Sequence, residues 1–293
     1  MRDDLDWRPL HNAAFNRSHR VLALLLATPG VDVNAASQTG WRPLDVCASA
    51  EGVRALLAAG ASYAAAEGAP APSLHHAAFF GRPEVVQELL ARGADVHETL
   101  PHAAAKFSFA TDFGGTPLHF AAASLNAARS LRESGGPDIT AQSMPDYFDA
   151  GSASARRVAV VETLLAAGAD VNLRTPTKLQ ATAMTSAETT PLQIAAHDGD
   201  AAVVAALLRA GAAVNAAHPI SGWTALHVAI NQNHADVVYT LAAGGAEINR
   251  GMPTGRRRSS IGRWMRTSTQ LSKRCWSRAL MHAPWSHGWP YRP

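Results

Sequence analysis

TPLHFAAA (residues 116–123) has relatives elsewhere in the chain. Imperfect copies stand at RPLHNAAF (8–15), RPLDVCAS (42–49), PSLHHAAF (72–79), TPLQIAAH (190–197) and TALHVAIN (224–231). About twenty residues after most copies comes a second signature: GVDVNA (30–35), GADVHE (93–98), GADVNL (168–173), GAAVNA (211–216) and GAEINR (245–250). Two signatures recurring together at such a period mean a stacked repeat protein. No single unit buries its apolar face alone, and neighbouring units supply the core.

The residue types in the signatures have physical parts to play. The hydroxyl of Thr116 or Thr190 is placed to accept an orphan backbone N–H at a helix N-terminus. Pro117 and Pro191 then fall at the first helical position, where the missing N–H costs nothing. Ala121 and Ala122 are small enough to let neighbouring helices approach. A second helix is marked by apolar residues at helical spacing: Val85, Val86, Leu89 and Leu90; Val160, Val161, Leu164 and Leu165; Val203, Val204, Leu207 and Leu208. Gly93, Gly168, Gly211 and Gly245 follow as stop signals that tolerate a left-handed backbone.

These motifs resemble those of ankyrin repeats, over about residues 6–250. The resemblance implies an all-α solenoid with β-hairpin fingers, each unit running finger, inner helix, turn, outer helix. About six units are expected, near 6–37, 38–67, 68–98, 112–173, 187–217 and 221–250. It also implies a role in protein–protein recognition, with another protein as partner. No polar capping unit is visible at either end, which fits a piece of a larger adaptor.

Spacing locates the irregular units. The proline place of the motif is held by Pro9, Pro43, Ser73, Pro117, Pro191 and Ala225, giving steps of 34, 30, 44, 74 and 34 residues. The period of the family is roughly 33. The 30-residue step shortens the second helix pair between Cys47 and Val53, and the 44-residue step lengthens the finger between Val96 and Thr116. The 74-residue step admits two arrangements. One unit has an insertion between its helices at about 126–156 and a long finger at 173–190; or two units are present, one degenerate, with SGGPDI (134–139) as a decayed second signature. The insertion is favoured, because ESGGPDITAQSMPDYFDAGSAS (133–154) lacks the apolar pairs of an outer helix and reads as loop.

Charge divides the chain at Gly251. Residues 251–293 hold nine of the 26 basic residues and none of the 23 acidic ones, so the array at 1–250 keeps 17 basic against 23 acidic residues, net −6. The tail is therefore net +9, carries four of the seven tryptophans, and is expected to be largely disordered. Arg256, Arg257, Arg258, Lys273 and Arg274 are its candidate contacts to an anionic surface, nucleic acid or acidic lipid. Cys47 and Cys275 make no disulfide framework, which suits a reducing compartment. MRDDLDW has no apolar leader, and no run of about 18 apolar residues spans a membrane. The expected location is cytoplasmic, or nuclear through the Arg256–Arg258 run.

The candidate partner-binding residues are aromatic and polar. Phe79 and Phe80 follow the alanine pair of the third unit, the place where the family's inner helices face the concave groove. An exposed aromatic pair there suits an interface anchor, while packing against the lengthened neighbouring finger is the competing role. His197 and Asp198, and Asn231 and Gln232, hold the equivalent places in later units. Trp41 and Trp223 stand just before a helix start, facing a partner or packing on the next finger. His11, His75, His119 and His227 share the fourth place of the TPLH motif, which the family uses structurally. No Cys-x-x-Cys pair accompanies them, so neither a metal nor a cofactor is expected. The Asn of GADVN (Asn34, Asn172, Asn215, Asn249) is expected to close a turn. Phosphate-loop, nucleophile-elbow, zinc-helix and dinucleotide signatures are absent, which points away from an enzyme.

Overall fold

The computed structural model describes residues 7–37, 40–63, 73–100, 115–123, 150–175, 188–219, 221–248 and 250. Twelve helices lie within them: α1 (Pro9–Phe15), α2 (His19–Leu26), α3 (Pro43–Val46), α4 (Ala50–Ala58), α5 (Ser73–Phe79), α6 (Pro83–Ala91), α7 (Pro117–Ala122), α8 (Ala150–Ala166), α9 (Pro191–Asp198), α10 (Ala201–Arg209), α11 (Ala225–Asn231) and α12 (Ala235–Ala243). Odd-numbered helices stack in one column, even-numbered helices in a second, and each odd helix packs on the even helix that follows it.

The apolar quartets build the core as their spacing demands. Val85, Val86 and Leu89 of α6, Val160, Val161 and Leu164 of α8, and Val203, Val204 and Leu207 of α10 are buried. The fourth members, Leu90, Leu165 and Leu208, pack at the rim, half-buried. The stop glycines Gly93, Gly168, Gly211 and Gly245 have φ of +90°, +92°, +86° and +88°, the left-handed region in which a side chain would be strained. Between units the chain makes isolated backbone pairs, and among the described residues no regular strand. Leu100 and Gly115 form one antiparallel bridge, and the Ser37 and His218 N–H groups donate to the Trp41 and Trp223 carbonyls, both at 2.8 Å.

The fourth unit departs from its sequence reading. α8 begins at Ala150, inside both the segment read as loop and the expected insertion. Alanine and serine suit a helix start that tertiary contacts then fix: Ala153 and Arg157 are buried, and the Ser154 hydroxyl donates to Asp200 at 2.9 Å. α7 packs on α8 and directly against α9, while α8 sits between α6 and α10. Residues 124–149, where the rest of the insertion was expected, lie outside the described residues, as do Asn249, the tail 251–293 and Phe107, Phe109 and Phe113.

Candidate functional site

The fourth motif residue is a rivet between units. In the fourth unit the Thr116 backbone N–H and hydroxyl both donate to His119 Nδ1, at 3.1 and 2.8 Å, and His119 Nε2–H donates to the Leu173 carbonyl at 3.0 Å. The threonine hydroxyl thus donates to the imidazole at the helix start, where the two form a capping box, and Thr224 does the same with His227 at 2.8 Å. Thr190 accepts a backbone N–H as expected, from Gln193 at 3.3 Å. His11 reaches the Trp41 carbonyl at 2.8 Å and His75 the Gly115 carbonyl at 3.1 Å. Gln193 substitutes for the imidazole: its Oε1 accepts from the Thr190 N–H at 3.1 Å, and its Nε2 donates to the Ala216 and Trp223 carbonyls at 3.1 and 2.9 Å. Burial, only partly offset by the carbonyl partners, lowers His75 to about 3 and His119 to about 4, so both rings are neutral.

A second ladder runs along the turns. Asn34, Asn172 and Asn215 do not close their own turns. Each reaches into the next unit, accepting the Ser62, Ala213 and Glu247 N–H groups at 2.8 Å. The local turns are closed by the aspartates two residues earlier, Asp32 and Asp170, which accept the Asn34 and Asn172 N–H groups at 3.0 and 2.9 Å.

The second unit breaks the motif at both ends at once, RPLD for TPLH. Asp45 is fully buried and accepts from the Arg42 backbone N–H, Nε and Nη2, each at 3.0 Å, and from the Ser73 hydroxyl of the next unit at 2.6 Å. The rivet survives with its polarity reversed, the next unit now donating. Burial opposes the charge of Asp45, but His76 and then Arg42 outweigh it and hold the carboxyl well below the usual range.

This cluster also corrects the aromatic assignment. Phe79 is 0% exposed, Phe80 4% and Trp41 6%, so none presents a surface to a partner. α3 stops after four residues, leaving the Cys47 carbonyl outside the helix. Arg82 Nη1 donates to that carbonyl at 2.8 Å, its guanidinium stacks 4.8 Å over Phe80, and Trp41 lies 4.3 Å from His76 and 6.1 Å from Phe80. The aromatics pack on one another, with Phe79 and Phe80 rings 5.3 Å apart. Asp198 is likewise buried.

Of the other candidates, Asn231 is exposed, and His197, Gln232 and Trp223 are half-buried. His197 and Asn231 hold equivalent places on the neighbouring inner helices α9 and α11, and the His234 Nε2 donates to the His197 carbonyl at 3.0 Å. Arg256, Arg257, Arg258, Lys273 and Arg274 lie outside the described residues. Sequence reasoning missed the pair Arg157–Asp200, in which the Arg157 Nε donates to the Asp200 carboxylate at 2.9 Å while Asp200 also caps α10. Among the described residues no three metal-ligating side chains converge, and no helix is long and apolar enough to cross a membrane.

Alternating helix columns tied by fourth-place rivets define a stacked helix-pair solenoid. The family described as ankyrin repeats (three copies) matches residues 73–175 and 151–251, and the chain belongs to it. Among solved structures, the human ASB11 ankyrin repeat domain is similar, with a TM-score of 0.61 and 21% identity, covering 96% of this chain and 100% of that one; at such identity the likeness is one of fold. No curated protein matches. Ankyrin repeats are in general protein–protein interaction modules.

Proposed function

We propose that this chain is a non-enzymatic docking module of six units at 1–250, interrupted by an insertion in the fourth, that recognises a protein partner on the inner-helix face of its last two units. The observation that carries this reading is a division of labour. The motif histidines, Gln193 and the turn asparagines are committed to holding the stack. His197, Asn231 and Gln232 keep solvent-facing surface at the places where neighbouring inner helices line up. A polar rim with a half-buried Trp223 beside it has the make-up of a recognition surface. Affinity capture with the full chain, followed by mass spectrometry, tests it against an Asn231→Arg, Gln232→Ala variant. A captured protein that the variant loses at unchanged melting temperature supports the assignment. Undiminished capture by the variant removes it.

A second reading rests on charge alone. The tail, net +9, suits nucleic acid or an acidic lipid surface, with the array as scaffold. Retention of the full chain on heparin or acidic vesicles should then fall steeply with salt. Salt-independent retention, or none, disposes of it.

A further inference from the structure

α8 is longer than its place in the stack requires. The outer helices α6, α10 and α12 each have nine residues, and α8 has 17. Val85 and Val86 are the third and fourth residues of α6, and their equivalents Val160 and Val161 place the matching helix of the fourth unit at 158–166. Residues 150–157 are an extension of about two turns that the other described outer helices lack. Its sequence, AGSASARR, carries little helical preference of its own, since Gly151, Ser152 and Ser154 are poor helix formers.

The extension is held from outside, by one carboxylate of the next unit. Asp200 Oδ1 accepts from the Ser154 hydroxyl at 2.9 Å, and from the Ala202 and Val203 N–H groups that it caps at 3.1 and 3.3 Å. Asp200 Oδ2 accepts from Arg157 Nε at 2.9 Å. Both oxygens are thus occupied, and the pair with Arg157 is buried while Ser154 is half-buried. Arg156, between the two clasp residues, has its Nη2 buried without a hydrogen-bond partner among the described residues. Unwinding the extension relieves that cost. Helix ends resting on few contacts are the first to open.

We propose that Ser154 is a phosphorylation site whose modification unclasps α8 from α10. Opening presents Ser-Ala-Arg-Arg (154–157), a serine with arginine two and three places after it, which is a charge pattern that a basophilic kinase reads. The kinase transfers the γ-phosphoryl group of ATP. A bond forms from Ser154 Oγ to that phosphorus, the bond from the phosphorus to the bridging oxygen breaks, ADP leaves, and the hydroxyl proton passes to the base of the kinase. The phosphate carries close to two negative charges. It puts an anion where Asp200 had a donor, and it competes with Asp200 for Arg157, three residues along on the same helix face. Closing the clasp again would press the phosphate against a carboxylate that is 6% exposed, so the extension stays open. A helix that restarts at Ser154 instead sets the phosphate beside its free N–H groups. The core contacts of Val160, Val161 and Leu164 lie beyond the extension and are kept.

Two measurements on the full chain test this. The first treats it with MgATP and the catalytic domain of a basophilic kinase, and resolves the sites by mass spectrometry. Ser154 should be modified. Asp200→Ala, which removes the clasp, should speed its modification by about tenfold, and Gly151→Ala, which strengthens the extension, should slow it by about two- to fivefold. Ser259 and Ser260, beside Arg256–Arg258, report that the kinase is active. If they are modified and Ser154 is not, the site is overturned; rates at Ser154 that neither variant changes overturn the opening step. The second installs phosphoserine at 154 by amber suppression and follows hydrogen exchange, with Ser154→Ala as the variant that loses the hydroxyl without gaining charge. Exchange at 154–157 should quicken by about tenfold with the phosphate and by less than about threefold in Ser154→Ala, while 158–166 stays protected in both. Equal exchange at 154–157 with and without the phosphate overturns the unclasping, and so does Ser154→Ala matching the phosphorylated chain.

Discussion

Acidification from pH 7.5 to 5 should cost this array about 4 kcal/mol through two side chains, His75 and His119. Both start from 6.5 in the unfolded chain and fall, through burial, to about 3 and about 4 in the fold. The unfolded state therefore binds protons that the folded state refuses. The stability is complete above pH 6.5 and is lost as pH falls toward the folded values, at about 1.4 kcal/mol per pH unit per group. At pH 5 each group has lost about 2 kcal/mol. Other groups adjust the total without reversing it. Burial also lowers His11, His76, His197 and His227. Glu98, raised by burial and by Asp95, acts in the opposite sense, while Asp45 keeps its charge throughout this window.

Urea unfolding followed at 222 nm, at pH 7.5, 6.5, 5.5 and 5.0, measures the loss; at a slope of about 2 kcal/mol per M the midpoint should move by about 2 M. The control comes from the chain itself. Gln193 makes both rivet hydrogen bonds with an amide that does not titrate. A His75→Gln, His119→Gln variant should keep its stability at pH 7.5 within about 1 kcal/mol, the net worth of a single hydrogen bond, and lose the part of the acid sensitivity that the two rings supply, about 4 kcal/mol. If its midpoint moves with pH as far as the wild type's, the rivets are not the source and the reasoning fails.

Further outcomes follow from the same contacts. Asp45→Ala leaves the Arg42 guanidinium buried without its partner and should destabilise by about 3–5 kcal/mol; adding Arg42→Thr with histidine at 45, which restores the TPLH pattern, should recover at least half of that in a double-mutant cycle. Asp200→Ala should cost a similar amount, because it strands the buried Arg157 and uncaps α10, whereas Asp200→Asn keeps the cap; thermal melts separate the two. Leu89→Ala should lower stability by about 2–5 kcal/mol and Leu90→Ala by roughly 1, since the first is fully buried and the second half-buried; equal effects would mean the outer-helix register is wrong.

Local chemistry was legible in the sequence. The apolar quartets, the proline starts and the left-handed glycines are each set by residues within one helical turn of each other, and they stand where their pattern put them. What could not be read depends on partners far along the chain. Ala150–Ser154 has no apolar pairs, yet it is helical because Asp200, 46 residues after Ser154, holds it. Asn34 and Asn172 look like turn residues because Asp32 and Asp170, two places earlier, do the turning, while the asparagine amides serve the next unit. The Arg42–Asp45 pair did carry a signal. Threonine and histidine were replaced together, three residues apart, by an arginine and an aspartate that compensate one another.

The recognition surface was the hardest part to read, for a physical reason. Groove-facing places in a solenoid are chosen for what they touch, and in the middle of this stack they touch the protein itself. Phe79 and Phe80 carry the residue type of an interface anchor, but both are buried, Phe80 between Trp41 and the Arg82 guanidinium. Residue type alone does not separate these cases, because an aromatic buried against a neighbouring unit and one awaiting a partner satisfy the same apolar preference. Exposure does separate them, and it moves the candidate surface from the third unit to the fifth and sixth. There the inner helices are complete, and His197, Asn231 and Gln232 are left facing outward. Replacing Phe79 and Phe80 with serine should therefore lower the melting temperature sharply, and any loss of partner binding should track the unfolded fraction. A variant that melts like the wild type but no longer binds would return the interface to the third unit.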